Sequence, residues 1–351
     1  MTSICVLPGS AGEALASGIS ELLGVPVTEC VVGRYPDGEL RPRVEQVRGR
    51  DVFVVQSTSP PVGERLMELL LLLDACRRAG AGRLTAVVPY FGYARHDRLE
   101  LPGQSVGVKV AADAIAQAGA DRLVVVDPHT PALAAVCPVP VEVVSAVPLL
   151  AEQIAPAWTE AVVVAPDLAA AALAERYAQT MRESVALVRK FRVDQHRVSA
   201  REILGEIAGH RVVVVDDMIC SGATIEATVA LLRNHATDIA VAATHGPLAP
   251  GASDRLRRLG LRRIVVTDSV VPAAAGSPFE VCPLAPVLAE TIAALHCGEP
   301  LHNPRFARRI RVYRPLEREL VTLACRAVGV LSSTRLIRKC RRRACIGVGG
   351  G

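Results

Sequence analysis

Seven short valine-rich runs alternate with longer alanine- and leucine-rich segments through residues 50–296, and no other feature restricts the possible folds as strongly. DVFVVQ, RLTAVVPY, DRLVVVD, AVVVAPD, HRVVVVDD, IAVAATH and RRIVVTD read as strands buried on both faces, because a half-exposed strand would alternate apolar with polar residues. Segments 62–78, 106–118, 168–181 and 223–234 lie between them with helical periodicity, and 283–296 is a further amphipathic helix. Such alternation predicts βαβ units, hence an α/β fold with a mostly parallel β-sheet flanked by helices. Ligands in such folds bind beyond the carboxyl ends of the strands. Several runs end there in a polar group: Asp127, Asp167, Asp216 with Asp217, His245 and Asp268.

Composition narrows the class further. Half of the 351 residues are hydrophobic but only 3% are aromatic, so the core is built from Val, Leu, Ile and Ala, which disfavours an aromatic-rich β-sandwich. The length suffices for two domains. Residues 1–146 and 147–300 each hold several strand–helix units, with the proline-rich CPVPVEVVSAVP where they meet. The net charge of +5 conceals an asymmetry, since 301–351 alone carry 13 Lys or Arg against 2 Glu and the rest is net acidic. That basic C-terminal extension is expected to be disordered, and nucleic acid is not an expected partner except through it. No apolar run approaches the roughly 20 residues of a membrane span, and LMELLLLLDAC is interrupted by Glu68 and Asp74. The start, MTSICVLPGS, lacks the basic and then apolar stretch of a secretory signal. Ten cysteines without C-x-x-C or zinc spacing read as reduced thiols, so a cytoplasmic location is expected.

The run VVVVDDMICSGAT (212–224) carries the most chemistry. Burying an ionised carboxylate is costly unless it is paired, so Asp216 and Asp217 should sit at the open end of their strand. Ser221, Gly222, Ala223 and Thr224 then enter a helix, whose free N–H groups would face an anion. Carboxylates that accept from hydroxyls beside a phosphate cradle suit a sugar phosphate. The plainer reading is a strand-end acid pair followed by a capped helix.

This stretch resembles the phosphoribosyl-pyrophosphate fingerprint of type I phosphoribosyltransferases, and the chain to about residue 300 is similar to the ribose-phosphate pyrophosphokinases (phosphoribosyl pyrophosphate synthases). The resemblance also rests on YPDGEL (35–40), residues 50–98, AGADRLVVVDPH (118–129), VVVAPD (162–167) and ATHG (243–246). It implies two similar domains of type I phosphoribosyltransferase fold, with ATP-binding loops in the first and the ribose-phosphate loop and terminal helix in the second. The implied reaction moves the β,γ-pyrophosphoryl group of Mg-ATP to the anomeric hydroxyl of ribose 5-phosphate, for nucleotide biosynthesis.

The resemblance also implies roles. Asp216 and Asp217 would hold the ribose hydroxyls, and Ser221, Gly222, Ala223 and Thr224 the 5-phosphate. His129 and Asp167 would be magnesium contacts, the histidine through water or phosphate. Tyr35, Asp37 and Glu39 would read adenine from a neighbouring subunit of a hexamer, while Arg95, His96 and Asp97 bind ATP. Lys190 and Arg192, on one side of an extended segment, would form the catalytic arm. Without the resemblance, Pro-Asp-Gly is a turn, a lone strand-end His is structural, and the Lys-x-Arg pair is a solvated charge run.

Three departures from the family pattern fall on anion contacts. Cys220 stands where many members have a third acid, with Ser221 and Ala223 for Thr and Gly. Ala169 and Ala170 replace two glycines, so that loop reads as a helix start. LELPGQ replaces a stretch that usually supplies another Arg. These motivate the alternative of a non-catalytic or altered-specificity member that regulates or scaffolds an active synthase. A transferase that consumes phosphoribosyl pyrophosphate would need neither YPDGE nor the long first half.

Overall fold

Two largely parallel sheets absorb the valine runs in the computed structural model, which describes residues 3–191, 200–270, 278–299 and 301. The first is wholly parallel, in the order β1 (Ile4–Pro8), β4 (Asp51–Val55), β5 (Arg83–Val88), β6 (Arg122–Val126) and β7 (Val141–Val144). The second runs β10 (Ala200–Leu204), β9 (Ser184–Phe191), β8 (Ala161–Ala165), β11 (Arg211–Met218), β12 (Asp238–His245), β13 (Arg263–Thr267) and β14 (Glu280–Cys282). In it only β9 with β10 is antiparallel. A separate antiparallel hairpin joins β2 (Cys30–Arg34) to β3 (Leu40–Val44).

Strand side chains alternate between two faces, so each central strand feeds two cores. Val52 and Val54 enter a core with α2 (Val62–Arg78), α3 (Gly107–Ala118) and α4 (Ala132–Val136), while Phe53 and Val55 enter a second core on the opposite face. In the other sheet Val212 and Val214 pack with α7 (Ala223–Leu232) and α8 (Ala252–Arg257), while Val213 and Val215 join that same second core. This middle layer is built from α1 (Glu13–Leu23), α5 (Val147–Ile154), α6 (Ala171–Met181) and α9 (Ala285–Cys297). The two sheets therefore share one hydrophobic layer. Gly18 permits the approach of α1 to α9, since a Cβ there would stand 3.0 Å from the Ala285 Cβ.

Some details differ from the sequence expectations. CPVPVEVV is more than a connection, because Val141–Val144 forms β7 at the sheet edge, where flanking prolines cost no ladder hydrogen bonds. The helix expected from 168 begins at Ala171, after a turn capped by Asp167. Residues 302–351, nearly all of the basic extension, lie outside the described residues. Among the described residues no helix is long and apolar enough to cross a membrane. The seven described cysteines are free, and burial pushes the Cys76 thiol up to about 12, so it behaves as a packing residue.

Candidate functional site

The strand-end polar groups divide into two sets. Asp127, at the end of β6, is buried and committed: its carboxylate accepts from the Ala146 N–H (2.8 Å), Thr244 Oγ1 (3.0 Å) and Arg176 Nη2 (3.3 Å). His245 is equally committed. Its Nε2–H donates to the carbonyls of Val126 and Asp127, its Nδ1 accepts from Ser269 Oγ at 2.8 Å, and Tyr90 meets it edge-on at 5.1 Å. Burial holds this imidazole below its ordinary value. Asp268 accepts from the Leu284 N–H and starts α9. These three hold the two sheets and the last helix together, and the expectation that all strand-end polar groups line a site is corrected to that extent.

In the second set Asp216 and Asp217 are half-buried and His129 is exposed. β11 continues past its valines as Asp216 and Asp217, and His129, beyond β6, reaches across from the first sheet: its Nδ1–H donates to Asp217 Oδ2 at 2.5 Å. That hydrogen bond holds His129 above the usual imidazole value, against the effect of burial. Burial works to raise the Asp217 carboxyl, but the hydrogen bond from His129 and its charge overcome this and leave Asp217 low. For Asp216, burial and then the Asp217 charge act together, and its carboxyl rises well above the usual range. Asp167 adds to the same negative field.

Immediately after β11 the chain turns into α7. Gly222 is the N-cap of α7 with φ of +73°, the one position there that needs a left-handed backbone, and Ala223 is already helical. Neither Ala223 nor Ala169 nor Ala170 has positive φ, so the backbone at these three departures does not itself require glycine. Ser221, Ala223 and Thr224 are exposed, and the N–H groups of Ser221, Gly222, Thr224 and Ile225 bond to no described residue, as is general for the start of a helix.

Other expected residues lie around this centre. Arg95 and His96 are exposed and Asp97 is half-buried in the loop after β5, near enough that Arg95 and Asp97 both act on the His129 charge. Tyr35, Asp37 and Glu39 form the tip of the β2–β3 hairpin, where the Tyr35 N–H donates to Glu39 O, Asp37 Oδ1 accepts from the Glu39 N–H, and the Arg41 guanidinium lies 5.0 Å over the Tyr35 ring. Among the described residues no hydrogen bond or ion pair joins this tip to His129, Asp216 or Asp217. Lys190 lies on β9 opposite Arg201, and Arg192 falls outside the described residues. Among the described residues no three His, Cys, Asp or Glu are grouped closely enough to hold a metal unaided. Sequence reasoning missed Arg255, whose Nη1 donates to Ser221 O at 2.7 Å. No local pattern announces it, since it approaches from α8.

Comparison with known proteins identifies the family and the fold. Residues 4–119 match the model of the N-terminal domain of ribose phosphate pyrophosphokinase, and 142–258 match the phosphoribosyl transferase domain. Ribose-phosphate pyrophosphokinase of Bradyrhizobium diazoefficiens is 36% identical over 86% of this chain and 97% of its own. The chain belongs to the ribose-phosphate pyrophosphokinase family. Another member, from Caldanaerobacter subterraneus, is 36% identical over 84% of this chain and 96% of its own. The crystal structure of phosphoribosylpyrophosphate synthetase from Mycobacterium smegmatis superposes with a TM-score of 0.79 at 33% identity, over 85% of this chain and all of that one. The family's fold, two phosphoribosyltransferase-type sheets with helices between and around them, is the one found here.

Proposed function

We propose that this enzyme transfers the β,γ-pyrophosphoryl group of ATP to the anomeric hydroxyl of ribose 5-phosphate, forming phosphoribosyl pyrophosphate and AMP. The observation that carries the reading is the join at the centre: Asp216 and Asp217 precede an open cradle of N–H groups and meet His129 from the other sheet. A sugar phosphate fits that join from one side and a nucleotide phosphate chain from the other. Relatives named for this activity match over nearly their whole length, which favours catalysis over a non-catalytic role.

In this reading Asp216 and Asp217 accept from the ribose hydroxyls, and Ser221, Gly222, Ala223 and Thr224 receive the 5-phosphate. Arg95, His96 and Asp97 bind ATP, and the Arg95 guanidinium meets its phosphates with bidentate contacts. Tyr35, Asp37 and Glu39 read adenine for the site of a neighbouring subunit in a hexamer. Lys190 and Arg192 close over the transferring group, where charge accumulates between two polyanions and fixed cations act most strongly. Magnesium would be held by Asp167 and, through water, by His129, and supplies neutralisation of phosphate charge when bound. Residues 1–146 and 147–300 are the two domains of the scheme.

Phosphorus NMR of the protein with magnesium, ATP and ribose 5-phosphate tests the reaction. AMP with a new sugar diphosphate is expected. Formation of ADP instead, or no turnover while ATP still binds, would overturn it.

A further inference from the structure

The anion cradle owes its form to a second segment. The carbonyls of Cys220 and Ser221 point away from the open side, and both are held from outside by the chain after β12: the Ala249 N–H donates to Cys220 O at 3.0 Å, and Arg255 Nη1 donates to Ser221 O at 2.7 Å. Arg255 is itself anchored, with Nε 3.1 Å from Glu226 Oε2 on the first turn of α7. Leu256, the next residue of α8, packs beneath Gly222.

A peptide unit is planar and trans, so its C=O and N–H point in opposite directions. Holding the Cys220 and Ser221 carbonyls outward turns the N–H groups of Ser221 and Gly222 inward. Gly222 has the φ freedom to let this unit rotate, and a rotated Ser221 carbonyl would present a negative oxygen to the anion. We infer that Arg255 is a positioning residue that locks the Ser221–Gly222 peptide in its anion-binding orientation and thereby sets affinity for the sugar phosphate. The inference rests on the proposed reading of residues 221–224. Arg255 does not touch the sugar phosphate in this scheme; it acts through the backbone.

The cradle grips the 5-phosphate equally before and during transfer, so its distortion should raise KM and spare kcat. Arg255→Met is expected to raise KM for ribose 5-phosphate at least tenfold while kcat, KM for ATP and the thermal midpoint change less than twofold or by a degree or two. Arg255→Lys, which retains a donor, should recover most of the loss. Arg255→Met with Glu226→Gln removes one charge of each sign. If the effect of Arg255 were merely its charge, this double variant would regain wild-type KM; positioning predicts that it does not. An unchanged KM in Arg255→Met, or full recovery in the double variant, overturns the inference. Calorimetry with ribose 5-phosphate separates this from the reaction itself: binding by wild type that weakens tenfold in Arg255→Met upholds the inference even if no AMP forms. No binding by wild type would overturn both.

Discussion

Asp127 and Asp217 follow similar valine runs at similar strand ends, and their partners alone separate them: three donors fill the carboxylate of Asp127, whereas Asp217 takes a single imidazole across an open centre. His245 gives this distinction a pH signature. Its folded value lies below that of an exposed imidazole, so below about pH 6.5 the unfolded chain binds the extra proton and the native state does not. Stability is therefore present above that pH and lost as pH falls toward the folded value. The thermal midpoint of wild type should drop between pH 7 and 5 more steeply than that of His245→Asn, and parallel profiles would refute the assignment. Gly222→Ala forces a Cβ into a left-handed backbone, a cost of roughly 1–2 kcal/mol, and should lower the midpoint and raise KM for ribose 5-phosphate more than KM for ATP. Lys190→Ala should cut kcat by about 100- to 1000-fold, the usual loss of a charge-stabilising donor, with the unfolding midpoint unchanged. Residue types at strand ends were legible in the sequence; their division into site and scaffold was not, because the deciding partners lie far away, 88 residues for His129 with Asp217 and 119 for His245 with Val126.

Strands were legible where apolar residues run unbroken along the interior of a sheet. β4, β5, β6, β8, β11, β12 and β13 all appear as valine runs, and all are interior strands whose two faces meet apolar layers. The strands outside those runs are the four sheet edges β1, β7, β10 and β14, the hairpin strands β2 and β3, and the interior β9, which was read only as the extended segment of Lys190. An edge strand needs fewer apolar residues and tolerates proline, so its pattern dissolves into its loops. The helix α9 was legible as amphipathic, but its destination was not: Leu288, fully buried, lies in the layer that α1 also lines. Leu288→Ala should cost about 2–5 kcal/mol. Because that layer belongs to both sheets, chemical denaturation followed by circular dichroism and by Trp158 fluorescence should shift together in this variant; divergent midpoints would mean that the sheets unfold separately.

At the scale of the whole molecule, the proposed scheme has the hairpin tip with Tyr35 complete the site of another copy. Light scattering at micromolar concentration should return an oligomer, hexameric in the proposed scheme. Mixing Tyr35→Ala with Lys190→Ala, each impaired alone, should restore turnover, since some sites then receive an intact hairpin from one subunit and an intact arm from another. No recovery on exchange would place the hairpin in the site of its own chain. The sequence made both halves recognisable as strand–helix repeats but gave no sign that they share an interior, because periodicity marks which face is apolar and not what covers it. That shared layer bears on how the protein can be made. A gene divided near codon 146 would encode two fragments, each with a bare greasy face the size of half a core. Made in separate cells, each should collect in inclusion bodies; made in the same cell, they should find one another as they fold and be recovered together from the soluble fraction.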